Sequence, residues 1–202
     1  ASVAHKDLPP SNLVFLIDVS GSMDYYNKLP LLQSAMKIMV KQLRPEDRVA
    51  IVVYASATGL VLKSTPASDR SRILEAIDQL EAGGSTAGGA GIELAYKVAE
   101  KNFLKKGNNR VILATDGDFN VGVSSEQGLI KLIEEKRESG VFLSVLGFGT
   151  GNYQDGKMEQ LADHGNGNYA YIDSHMEARK VLATELGTNL HVAAEDTIFQ
   201  IE

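Results

Sequence analysis

Residues 13–23 read Leu-Val-Phe-Leu-Ile-Asp-Val-Ser-Gly-Ser-Met. The apolar run over 13–19 is what a strand covered by side-chain layers on both faces requires. It gives way at Asp18 to Ser22 to a short loop, and a helical pattern follows over about 29–43. A buried strand, a loop and a helix in that order form the repeating unit of an α/β sheet.

The same alternation continues along the chain. Strand patterns lie at 48–54, 59–62, 110–115, 141–148 and 169–172, and helical patterns at 69–80, 90–104, 125–139, 157–163 and 176–190. Such alternation implies a mostly parallel sheet with helices on both faces. In open sheets of this kind a ligand binds outside the carboxyl ends of the strands, where the strand order reverses. The loops that follow strands are therefore the place to look for chemistry.

Asp18, Ser20 and Ser22 stand at alternate positions on the first such loop, and Gly21 permits the sharp bend between them. A carboxylate and two hydroxyls are hard oxygen donors, suited to Mg²⁺, Mn²⁺ or Ca²⁺ rather than zinc. Taken alone, they are equally explained by an aspartate that ends a strand and a serine that caps the next helix. Two other loops add to them. The stretch 83–89, Gly-Gly-Ser-Thr-Ala-Gly-Gly, precedes a helix and carries Thr86, and Asp116 follows the apolar strand at 111–114. Each is also a common turn or cap. Their conjunction on one edge of one sheet is less readily accidental than any member.

These five positions, Asp18, Ser20, Ser22, Thr86 and Asp116, match the metal ion-dependent adhesion site of von Willebrand factor A-type domains, and the chain is similar to that family over 13–190. The resemblance implies a doubly wound, Rossmann-like α/β fold: a six-stranded, mostly parallel sheet with one short antiparallel edge strand and helices on both faces. It also implies a bound Mg²⁺ (or Mn²⁺ or Ca²⁺) whose coordination is completed by an acidic residue of a protein partner, and a last helix, 176–190 here, that can shift when the partner binds. Asp-Gly-Asp-Phe-Asn-Val-Gly over 116–122 resembles the version in bacterial members, which are often exported and often carry a further extension. An extracytoplasmic location, periplasmic or cell-surface, is expected on that ground. Residues 1–12, with Pro9 and Pro10, read as a linker. Residues 191–202, with Ile198 and Ile201 among polar neighbours, read as the start of a truncated extension.

Composition narrows the function classes. With 202 residues, 44% hydrophobic and 23% charged, the chain can bury a full core, so a metal would serve function rather than folding. Its net charge of -6, without a cluster of basic residues, argues against nucleic acid. Cysteine is absent, which removes thiol catalysis and thiolate metal sites. No apolar stretch reaches the ~18 residues of a membrane span.

Several other signals carry less. Gly151 to Met158 comes within one residue of a phosphate-binding loop, but Met158 lacks the hydroxyl for Mg²⁺ and Asp155 would repel phosphate, so no nucleotide is expected. The stretch Gly83 to Ala87 fails the nucleophile-elbow pattern at Ala87. His5, His164, His175 and His191 lack the spacing of a zinc site. Asp24 and Asp118 are either solvated or orient hydroxyls and waters around the site. Tyr25 and Tyr26 follow the first loop and would either anchor an interface or pack beneath it. The alternative to a binding module is a metal-assisted hydrolase or phosphotransferase. That chemistry needs a general base or nucleophile such as His, Lys or Cys near the metal loops, and none is expected there, so no enzyme is expected.

Overall fold

The structure, a computed structural model, describes residues 9–55, 58–83, 91–117, 126–149 and 155–185. Thr86, Asp118, His5, His191, the stretch 151–154, most of the expected linker and all of 191–202 lie outside the described residues.

The described strands form one six-stranded sheet in the order β3-β2-β1-β4-β5-β6. They are β1 (Ser11–Asp18), β2 (Arg48–Tyr54), β3 (Thr58–Pro66), β4 (Asn108–Thr115), β5 (Val141–Phe148) and β6 (Tyr169–Ile172). Only β3 among them runs antiparallel, paired with β2 at the sheet edge. The helices are α1 (Leu29–Gln42), α2 (Arg70–Asp78), α3 (Gly91–Lys101), α4 (Glu126–Glu138), α5 (Asp155–His164) and α6 (His175–Arg179). This is the doubly wound architecture that the alternation and the resemblance imply.

Strand β1 lies at the centre, and its side chains divide between two cores. Leu13, Phe15 and Ile17 pack with residues of α1, α2 and α6. Val14 and Leu16 point the other way, to residues of α3, α4 and α5. Period-two alternation with both faces covered explains why the strand reads as one apolar run. Helix α1 supplies its core face with Leu29, Leu32, Met36, Met39 and Val40, the three- and four-residue spacing of a single helical stripe. Pro30 fits its first turn, where an N–H has no intrahelical partner in any case.

The structure alters three sequence expectations. First, β1 begins at Ser11, so Ser11 and Asn12 belong to the sheet and not to a linker. Asp47 holds them there by accepting the Ser11 N–H and the Arg44 N–H, each at 2.8 Å, beside the Arg44 guanidinium at 3.0 Å. Second, the antiparallel edge strand spans nine residues rather than a short 59–62. Its second half lacks a continuous apolar pattern, and Arg48 fastens it through Ser64 Oγ at 2.8 Å and Ser64 O at 2.9 Å. Third, within the described residues the last helix is α-helical over His175–Arg179 and continues as a π-wound turn over Lys180–Glu185, and residues 186–190 of the expected helix lie outside them. Periodicity cannot separate the two windings here, because Ala178, Val181 and Leu182 give one buried stripe in either.

Candidate metal centre

The strand order reverses between β1 and β4, because the chain winds from β1 through β2 to β3 on one side and from β4 to β6 on the other. That reversal opens a crevice beyond the carboxyl ends of β1 and β4. Ile17 of β1 is in register with Ala114 of β4, so Asp18 and Thr115 leave the sheet side by side. Asp116 follows immediately. Two carboxylates far apart in sequence are thus delivered to one place by strand register alone.

The first loop then folds back over the strand end. Asp18 Oδ1 accepts the Ser20 N–H at 2.8 Å, and the tight turn begins a 3-10 segment at Gly21–Asp24. Its direct consequence is that Ser20 Oγ and Ser22 Oγ come within 3.1 Å of each other. Met23, fully buried, anchors the turn in the core. Asp18 Oδ2 lies 3.3 Å from the Tyr54 hydroxyl at the end of β2 and 3.3 Å from the Thr115 hydroxyl at the end of β4. Both donate to the carboxylate. Gly117, at φ 104, takes a left-handed turn that only glycine adopts freely, and its N–H donates to Thr115 Oγ1 at 3.2 Å.

Gly83, the first residue of the second loop, lies against the first loop. The Gly83 N–H donates to the Val19 carbonyl at 2.8 Å, which ties the approach to residue 84 to the first loop. Of the five expected ligands, the structure brings together Asp18, Ser20, Ser22 and Asp116, and Thr86 falls outside what it describes.

A cation already stands in this group. Lys28 Nζ donates to Asp116 Oδ2 at 2.8 Å and to the Ser22 carbonyl at 3.0 Å. The pair is largely enclosed, with the Asp116 side chain 5% and the Lys28 side chain 19% exposed. This corrects the expectation that no lysine lies near the metal loops. Lys28 occupies the N-cap position of α1, where a positive charge opposes the helix dipole and a capping oxygen is preferred. A lysine there needs an acid from elsewhere. Tyr54 and Thr115 were also missed, because their role depends on which strands are neighbours.

Burial pushes the Asp18 carboxyl above its ordinary value; the Ser20 hydroxyl and N–H oppose this, and the Asp116 charge adds to it. Burial, and then the Asp18 charge, push the Tyr54 hydroxyl well above its usual range, so it remains a neutral donor. Two carboxylates near one another in a dry crevice repel, and a bound dication relieves both the repulsion and the desolvation. The donors are two carboxylates and two adjacent hydroxyls, all hard oxygens, and they fit Mg²⁺, Mn²⁺ or Ca²⁺.

Around this centre the surface is aromatic. Tyr25 and Tyr26 are 63% and 81% exposed, so they do not pack beneath the loop. The Tyr25 ring also lies 5.3 Å from Lys28 Nζ, over which its face is turned. Asp24 is exposed at the end of the 3-10 turn. Away from the site, His164 pairs with Glu134 at 2.8 Å on neighbouring helices, a surface contact with no part in the crevice.

Comparison with known proteins agrees with this architecture. The profile of the von Willebrand factor type A domain matches residues 12–185. The uncharacterized protein YfbK of Escherichia coli (strain K12) is 51% identical over 98% of this chain, which spans 34% of its length. Inter-alpha-trypsin inhibitor heavy chain H3 of Rattus norvegicus is 26% identical over 85% of this chain, which covers 20% of it. The chain therefore spans about a third or less of these relatives. Among solved structures, a von Willebrand factor type A protein from Catenulispora acidiphila aligns with a TM-score of 0.74 at 22% identity, covering 90% of this chain and 43% of that one. With the profile match running from β1 to the last described turn, the chain belongs to the von Willebrand factor type A domain family.

Proposed function

We propose that this domain is a divalent-cation-dependent protein-binding module serving adhesion or assembly. Asp18, Ser20, Ser22, Thr86 and Asp116 would hold Mg²⁺, or Mn²⁺ or Ca²⁺, and an acidic side chain of a partner protein would complete the coordination. The observation that carries this reading is the meeting of Asp18 and Asp116 at the sheet's reversal point, beside two serine hydroxyls 3.1 Å apart. When bound, the cation supplies a concentrated positive charge that a partner's carboxylate can approach. Tyr54 and Thr115 keep the Asp18 carboxylate oriented, and Ser20 fixes its other oxygen. Tyr25 and Tyr26 offer exposed rings next to the crevice, the residue type that most often anchors protein interfaces.

Among the described residues Lys28 is the group at the site that would favour an enzymatic reading, since metal-assisted hydrolysis or phosphoryl transfer needs a base. Its ammonium donates to Asp116 and to a backbone carbonyl, and an ammonium so engaged has no lone pair to accept a proton. Family membership points the same way, toward interaction rather than catalysis. We place the domain outside the cytoplasm, in keeping with its resemblance to exported bacterial members.

The test is affinity capture from a cell-envelope extract with the immobilised domain. Wild-type protein in Mg²⁺ should retain a partner that is released by EDTA and is not retained by Asp116→Ala. Capture that is indifferent to chelator and to the substitution contradicts the proposal.

A further inference from the structure

The Lys28 side chain is held in a slot shaped for it. Its ammonium bonds Asp116 Oδ2 and the Ser22 carbonyl, and the Tyr25 ring faces it at 5.3 Å. Its stem runs past Gly149, where an added Cβ would stand 2.9 Å from Lys28 Cε, and Gly149 takes φ 103 at the end of β5. The Gly149 carbonyl is in turn held by the Tyr171 hydroxyl of β6. The end of β4, the end of β5 and the first loop thus enclose one lysine side chain. Its partner, Asp116, is among the residues proposed above to hold the dication.

A lysine ammonium and a dication cannot share that carboxylate on equal terms. Both are attracted to the same oxygen, and each repels the other across a poorly screened crevice. We propose that Lys28 is a built-in competitor of the metal: it neutralises Asp116 when no dication is bound, and metal entry requires its displacement from Asp116. This rests on the metal-site reading and adds its regulation. The consequence is a threshold. The domain becomes competent for its partner only where free Mg²⁺ is high enough to evict the lysine, and the first loop, which carries Ser22 and Tyr25, rearranges its contacts with Lys28 at the same moment.

Two measurements decide it. In calorimetric titration with Mg²⁺, Lys28→Met, which keeps the apolar stem and removes the charge, should bind about tenfold or more tightly than wild type, and Asp18→Asn should not bind. In wild-type protein, acetylation of Lys28 by acetic anhydride, read by mass spectrometry against the other lysines, should rise several-fold on adding Mg²⁺. The second needs no substitution and stands even if Lys28→Met folds poorly. If wild type binds Mg²⁺ through Asp18 but Lys28→Met binds equally or more weakly and Lys28 labelling does not rise, Lys28 merely positions Asp116 and the competition proposal falls alone. If neither wild type nor Lys28→Met binds Mg²⁺, or Asp18→Asn binds it unchanged, the metal-site reading falls and takes this one with it.

Discussion

Asp18→Asn is expected to leave the metal-free domain as stable as wild type or slightly more so, while erasing all stabilisation by Mg²⁺. The amide keeps an oxygen for the Ser20 N–H, and the Tyr54 and Thr115 hydroxyls can turn to accept from its nitrogen. What it removes is the fully buried Asp18 charge, and burial already pushes the Asp18 carboxyl toward its protonated form. Wild type in Mg²⁺ at a hundred times its dissociation constant should gain about 2.7 kcal/mol. In a domain of this size that is a rise in Tm of roughly 5 to 10 °C. The variant should gain nothing, by thermal melting with and without EDTA. A pH dependence accompanies this. Because the folded Asp18 carboxyl holds its proton more tightly than the unfolded chain does, its contribution to metal-free stability is present in acid and is lost as pH rises through its raised pKa. The Asn variant should lack that slope.

The second large effect is expected far from the proposed metal site. Gly167→Ala should destabilise the domain by about 3 kcal/mol or more, lowering Tm by roughly 10 °C. A Cβ at this position would overlap the Leu143 carbonyl oxygen and stand 2.5 Å from its carbon, both backbone atoms of the interior strand β5. Neither can move without breaking the contacts that join β5 to the segment before β6, where Leu143 N–H donates to Gly165 O at 3.0 Å and Val145 N–H to Asn168 O at 2.9 Å. Gly156→Ala, in the first turn of α5 with nothing near its would-be Cβ, should be neutral or slightly stabilising. Equal losses in the two variants would show that the close packing at Gly167 is not what the residue is for.

Gly167 also shows where reading the sequence stops. Its stretch, His-Gly-Asn-Gly-Asn over 164–168, reads as an ordinary turn. The reason for its glycines is an approach to β5 within van der Waals contact, which no local pattern encodes. The strands β1, β4 and β5 were legible because both their faces are apolar, although β4 begins at Asn108, three residues before its apolar run. Asn109 sits in that strand because its side chain is paired, with Leu104 N–H at 2.9 Å and Asn12 Nδ2 at 3.2 Å. Buried polar residues satisfied by distant partners look like loop when read locally.

For the site, the donor types were readable and the geometry was not. Asp18, Ser20 and Ser22 share one loop, so spacing alone conveys their donor chemistry. That Asp116 joins them depends on β4 lying next to β1, a fact of topology. Lys28 was missed because a single lysine between a loop and a helix looks solvated, and only its partner 88 positions away gives it a role.

The most direct measurement is calorimetric titration of Mg²⁺ into chelator-stripped wild-type protein, with Asp18→Asn beside it. One Mg²⁺ per chain is expected for wild type and none for the variant. No binding by wild type, or the same isotherm in both, would contradict a metal centre at the junction of β1 and β4.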